Sequence, residues 1–202
     1  AVDLTKHFAK TGKFRYGKNT SGKAILKAKN NDGELKTVGF LPATIIAINA
    51  KRIETLVEQF GLQGAMDWLL TPKTGYEIKD WNASNGLPIP GHIKKNKSTL
   101  EKTYYGANMF GPKIGRYTVG IYGFDGEAVY DLWMTRQWRR WTGGMFGVDK
   151  KGKKFIREAP EGKEIEIMDR VTDRVVKILS KELNYPFTRH QVQAMYWEFE
   201  KV

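Results

Sequence analysis

The spacing of apolar and polar positions changes along the chain, and each change marks an element. Ala24 to Lys29 and Glu34 to Phe40 are short apolar-containing runs on either side of Asn31-Asp32-Gly33, a pattern that predicts a β-hairpin. From Pro42 the period becomes helical: Ile45, Ile46, Ile48, Ile53, Leu56, Val57 and Phe60 fall on one stripe, with Pro42 near the first turn and Gly61 just past the end. Gln63 to Leu70 predicts a second, shorter helix stopped by Thr71-Pro72. Thr74 to Gly91 is rich in Gly, Pro and Asn and reads as a long surface excursion.

Ser98 followed by Glu101 is a capping-box spacing, which predicts a helix through Tyr104 and Tyr105. A further helical stretch follows Gly111-Pro112 and runs to Gly123, so the expectation here is two helices joined by a tight Gly-containing hairpin. After a short Ala128-Val129-Tyr130 run, Asp131 precedes a helix reaching Trp141, and Gly143 to Gly162 reads as a Lys- and Gly-rich loop. Ile165, Met168, Val171, Val175, Ile178, Leu179 and Leu183 form one apolar stripe, and Thr188 with Gln191 caps a terminal helix carrying Met195, Trp197 and Phe199. The expected fold class is mainly α (α+β): a basic N-terminal segment with a β-hairpin over 1–41, then a helical domain over 42–202. There is no repeat at solenoid periods and no low-complexity segment.

Composition turns this pattern toward a partner class. The 202 residues are 41% apolar and 12% aromatic, which places the chain among folded proteins of one domain, or one domain with an appendage. Lys and Arg number 34 against 22 Asp and Glu, a net charge of +12. Within residues 1–30, eight basic side chains face the single acid Asp3. Phosphate backbones reward such a surface through counterion release, so a polyanion leads as the partner class, with a solubilising surface charge as the alternative. The lysines of the hairpin serve either a phosphate backbone or its solvated face.

Other classes fall away. With no Cys there is no disulfide, thiolate metal site, thiol nucleophile or cysteine-held iron–sulfur cluster. His7, His92 and His190 are scattered and none has a second ligand at metal spacing, so no metal and no cofactor is expected. No Walker loop or dinucleotide fingerprint is present, because the glycines at 111, 115, 120 and 123 lie between helices and do not follow a strand. No apolar run approaches the roughly 18 residues of a membrane span. AVDLTKHFAK lacks the apolar centre of a signal peptide, and the expectation is a cytoplasmic monomer without a membrane partner.

The stretch from Asn108 to Arg136 reads as helix, Gly-rich hairpin, helix, short extended run, Asp, helix. It resembles the helix-hairpin-helix, Gly/Pro and Asp motif of the DNA glycosylase superfamily that includes endonuclease III and the adenine glycosylases. The resemblance covers about residues 98–202 and leaves the N-terminal 95 outside it. It also extends to small phage proteins carrying a Gly-Pro-Lys and Asp-x-Trp pattern. The family's full Pro-Gly-x-Gly hairpin is degraded here, and the absence of Cys excludes the iron–sulfur cluster of the endonuclease III branch.

What the resemblance implies is duplex DNA bound with its target base flipped. Amides of a hairpin containing Gly111 and Gly115 would meet a phosphate, Asp131 would face the sugar of the flipped nucleotide, and Arg116 would stand beside the hairpin. Two registers differ in their chemistry. Without gaps, Lys113 lies 18 residues before Asp131, the family's separation between nucleophilic lysine and aspartate, and becomes a candidate amine nucleophile. Aligned on the hairpin, Pro112 to Val119 puts Tyr117 at the lysine position, leaving no lyase lysine. The ungapped register is preferred because a helix from Pro112 to Tyr122 is long enough to pack, whereas one starting at Arg116 has barely two turns.

In the first register an unprotonated Lys113 attacks the anomeric carbon and forms a Schiff base, while Asp131 stabilises the oxocarbenium charge. The structural alternatives are a phosphate-contacting Lys113 and an Asp131 that only caps its helix. The helix after Asp131 carries Arg136, Arg139 and Arg140 as candidate phosphate contacts and Trp133 and Trp141 as candidate stacking platforms, with Tyr117 a further pocket residue. Buried tryptophans with snorkelling arginines are the alternative and, for the tryptophans, the preferred reading; Trp68, Trp81 and Trp197 likewise read as core.

Three functions compete: base excision with or without strand incision through Lys113, a phage-type thymidine-hypermodification enzyme on a glycosylase-like fold, and a non-catalytic DNA-binding module. A phage-borne inhibitor of a host enzyme is a fourth.

Overall fold

The computed structural model describes residues 2–38, 43–93, 96–123, 128–130, 132–144, 146–148, 151–156, 160 and 163–200. Among them the protein is mainly helical, with eight α-helices and three small antiparallel sheets. It divides into two compact units, Ala1–Gly111 and Pro112–Val202.

The first unit opens with α1 (Val2–Thr11), an amphipathic helix that the apolar pattern does not announce. It is followed by β1 (Tyr16–Lys18), β2 (Ala24–Lys29) and β3 (Leu35–Thr37). The expected hairpin is present over residues 24–37, pairing Lys27 with Thr37 and Lys29 with Leu35, and residues 39 and 40 of that expectation lie outside the described residues. β1 adds a third strand, placing Tyr16 opposite Leu26 and Lys18 opposite Ala24. Leu26 turns its side chain onto Ala47 and Ala50 of α2 (Ala43–Leu70), with Phe14, Val38 and Ile46 around them. The basic N-terminal segment and α2 therefore share one core. Gly61, with φ 69° and ψ 176°, kinks α2 where the sequence places a helix end.

Thr74 to Gly91 is not a surface excursion. β4 (Pro72–Thr74) leads into α3 (Gly75–Ser84), opened by a complete capping box in which the Glu77 amide donates to Thr74 Oγ1 at 3.2 Å and Glu77 accepts from the Thr74 amide at 2.6 Å. Ile78 and Asn82 of α3 are buried. The fastening is polar: Arg52, buried on α2, donates from Nε to Asn82 at 2.8 Å, from Nη1 to Asn49 at 2.7 Å and from Nη2 to the Pro88 carbonyl at 2.5 Å. Burial lowers its pKa to about 10, so it stays charged at neutral pH, held by neutral oxygens.

The helix expected through Tyr104 and Tyr105 is also corrected. Asn96 and Thr99 form the capping box, α4 (Lys97–Glu101) lasts five residues, and Thr103–Tyr105 becomes β5, paired with β4. A 3-10 turn, Gly106–Phe110, follows, and Asn49 of α2 donates to its Phe110 carbonyl at 3.1 Å. Tyr104 and Tyr105 are β-prone residues with a strand partner available, and that pairing outweighs the local helix signal.

The second unit contains α5 (Pro112–Ile121), α6 (Leu132–Thr142), β6 (Phe146–Val148), β7 (Lys154–Ile156), α7 (Lys163–Glu182) and α8 (Arg189–Glu200). The supposed loop at 143–162 thus holds a two-stranded hairpin. Its core joins Ala128, Tyr130, Met134 and Met168, with Trp138, Ile165, Tyr196 and Trp197 against them. The capping box at Thr188 and Gln191 is formed, with the Thr188 amide donating to Gln191 at 2.9 Å.

Candidate functional site

α5 starts at Pro112, as the ungapped register requires, and Gly115 and Arg116 lie inside the helix. Gly115 is buried in the middle of that helix and does not sit on a hairpin tip. Gly111 closes the preceding 3-10 turn at φ 104°, donating its amide to the Asn108 carbonyl at 3.0 Å. Lys113 stands exposed in the first turn of α5 and Tyr117 is half exposed one turn on, so the candidates of the two registers share one strip of helix surface with Ile114 and Ile121.

Arg116 is engaged within its own unit. Its Nη1 donates to the Ala128 carbonyl at 3.2 Å and lies 3.5 Å from Asp169, while the guanidinium rests 5.5 Å from the Tyr130 ring centroid. Tyr130 donates its hydroxyl to Asp169 at 2.6 Å, and burial first, then that bond, pushes its pKa above the ordinary phenol range. Arg189 reaches Asp169 at 3.6 Å and grips Asp173 through Nε at 2.5 Å and Nη2 at 2.6 Å. Two cations thus face two carboxylates. Together with the 2.6 Å bond from the Val129 amide to Gln193, the cluster anchors residues 128–130 to α5, α7 and α8.

Asp131 lies outside the described residues, as does the side chain of Trp133. Beyond them, α6 separates its three arginines sharply. Arg139 is 0% exposed and its guanidinium grips Glu164 of α7 through Nε at 2.9 Å and Nη2 at 2.8 Å. A phosphate contact is therefore the wrong reading of Arg139, whose charge is already matched inside the unit. Arg136 is half-buried, and Arg140 is exposed. Trp141 is 59% exposed, edge-on to Tyr196 with centroids 5.7 Å apart, so it is not a core residue; Trp68, Trp81 and Trp197 are half-buried. Lys151, Lys153 and Lys154 of the β6–β7 hairpin are exposed.

The first unit presents the larger excess of charge, 17 basic against 9 acidic residues, compared with 17 against 13 in the second. Lys6, Lys10, Lys13, Lys18, Lys23 and Lys29 are all exposed, and the one acid of that segment, Asp3, is neutralised by Arg15 at 2.5 Å and accepts the Lys29 amide at 2.8 Å. The exposed charge over residues 2–30 is therefore wholly positive. No family model, curated protein or solved structure matches the chain. No helix among the described residues is long and apolar enough to cross a membrane.

Two features of the site escaped the sequence. α1 shows only as a short amphipathic pattern, yet it brings Asp3 to Arg15 and so determines which charges remain outward. Glu54, in the middle of the α2 apolar stripe, accepts the Phe14 amide at 2.5 Å and pairs with Lys51 at 3.2 Å, fastening the N-terminal loop to the helix. An acid within an apolar stripe is the signal that marks it.

Proposed function

We propose that this protein binds DNA through the positive surface of its first unit. The observation that carries the reading is that Lys6, Lys10, Lys18, Lys23 and Lys29 are exposed with no acid paired to them among the described residues, because Asp3 is matched by Arg15; the sixth, Lys13, pairs with Glu58 at 3.1 Å. Lysines on a helix and a small sheet suit the phosphate backbone, whose recognition needs charge and spacing more than base-edge geometry. A salt titration of a labelled duplex tests this: affinity falls as salt rises, with a slope of log K on log salt that counts the phosphates neutralised. Affinity indifferent to salt would end the reading.

A second reading, base excision with lyase chemistry, draws on one specific observation: α5 begins at Pro112, so Lys113 occupies an exposed first helical turn. Borohydride trapping on abasic duplex tests it. A covalent adduct that disappears in Lys113→Ala and persists in Tyr117→Phe is the expected result, and no adduct with the wild type would leave binding without catalysis.

A further inference from the structure

Between the three-stranded sheet and the first turns of α2 the first unit contains an open groove of about 500 Å³, within the roughly 300–1,000 Å³ typical of small-ligand sites. Ile48 of α2 and Leu87 make an apolar wall, and Tyr16 of β1 offers a ring that is 39% exposed. Lys23, Ala24, Thr44, Ala47 and Lys51 complete the lining. Lys51 is already paired with the buried Glu54 at 3.2 Å, so the outward charge at the groove is that of Lys23. Lys18, opposite Ala24 in the β1–β2 register, stands on the same face of the sheet and extends the line of cations. The buried Glu54 acts on the Tyr16 hydroxyl: burial first, and then this carboxylate, keep it neutral well above its ordinary range.

An apolar cleft with an aromatic edge takes a flat ring; a rim of lysines takes the anions on either side of it. A nucleotide unit carries both. We propose that the groove receives one unstacked base of a nucleic-acid strand, the base lying between Tyr16 and the Ile48–Leu87 wall with its flanking phosphates on Lys18 and Lys23. The inference rests on the DNA-binding reading and deepens it, because it adds a single-strand site to a surface otherwise suited to any phosphate backbone. Stacking on an aromatic ring tolerates every base, so the site selects unpaired character over sequence.

Fluorescence anisotropy with a short labelled oligothymidylate tests it on the full chain. Tyr16→Ala is expected to weaken binding roughly tenfold or more, in line with the loss of one stacked base, and Tyr16→Phe to retain it. Ala24→Trp fills the groove from an exposed strand position without altering any charge, and is expected to give the same loss with an unchanged circular dichroism spectrum. If both Tyr16→Ala and Ala24→Trp bind like the wild type, or if the wild type binds duplex and not the oligonucleotide, the groove assignment is overturned while the DNA-binding reading stands. If the wild type binds neither at low salt, the reading beneath it fails as well. Thymidine monophosphate that competes as strongly per molecule as the oligonucleotide would replace the strand by a free nucleotide as occupant.

Discussion

Arg139 and Arg140 are neighbours in sequence and opposites in use. One is fully buried with its guanidinium on Glu164; the other points to solvent one residue later on the same helix. Removing one partner of a buried, doubly bonded pair leaves an uncompensated charge, so Arg139→Ala is expected to cost about 3 kcal/mol in urea unfolding. Asp173 provides the pH test. The Arg189 guanidinium bound to it holds its carboxyl below the ordinary range. A depressed folded pKa contributes stability above the unfolded value, about 3.9, and that contribution is lost as pH falls through the folded value. Thermal unfolding below about pH 4 should therefore fall more steeply for the wild type than for Asp173→Asn; parallel curves would show that the pair adds nothing. Little of this is legible in the sequence, because three arginines in five residues look alike until a neighbouring helix selects one of them.

At the scale of elements, local signals placed most helices and misplaced others where a strand or a closer cap competed. The 43–70 helix with its break at Gly61, the helix ahead of Thr142 and the Thr188–Gln191 cap follow from period and capping chemistry alone. The Thr74–Glu77 box is equally present in the sequence, yet the surrounding Gly, Asn and Pro mask it. Residues 103–105 became a strand because β4, about 30 residues earlier, offers it backbone partners. Gly120 shows what close approach demands of an element: a Cβ there would overlap the His190 imidazole of α8. Gly120→Ala is expected to destabilise the protein by roughly 1–3 kcal/mol through overpacking, and the additional change His190→Ala to restore part of that stability. Without such a rescue, the approach of α5 to α8 is not where the strain arises.

For the whole molecule, the prediction concerns where the charge acts. If the first unit holds the phosphates, replacing Lys6, Lys10 and Lys29 with alanine lowers the salt slope of duplex binding by up to about 2.7, at about 0.9 per phosphate left unneutralised, with thermal stability unchanged. A slope that stays the same would show that these three lysines hold no phosphate. The amino-acid sequence by itself determined the class of the fold, the positions of the long helices and the N-terminal hairpin, because periodicity and caps act over a few residues. It also determined the positive charge and its concentration before residue 30. Only the tertiary structure decided which of those charges face outward. Matching Arg15 to Asp3, Arg116 to Asp169 and Arg139 to Glu164 needs side chains from different segments that folding brings together, and no local pattern encodes such a meeting. The groove beside Tyr16 exists for the same reason, since its two sides belong to a strand and a helix brought together by the burial of Leu26 against Ala47 and Ala50.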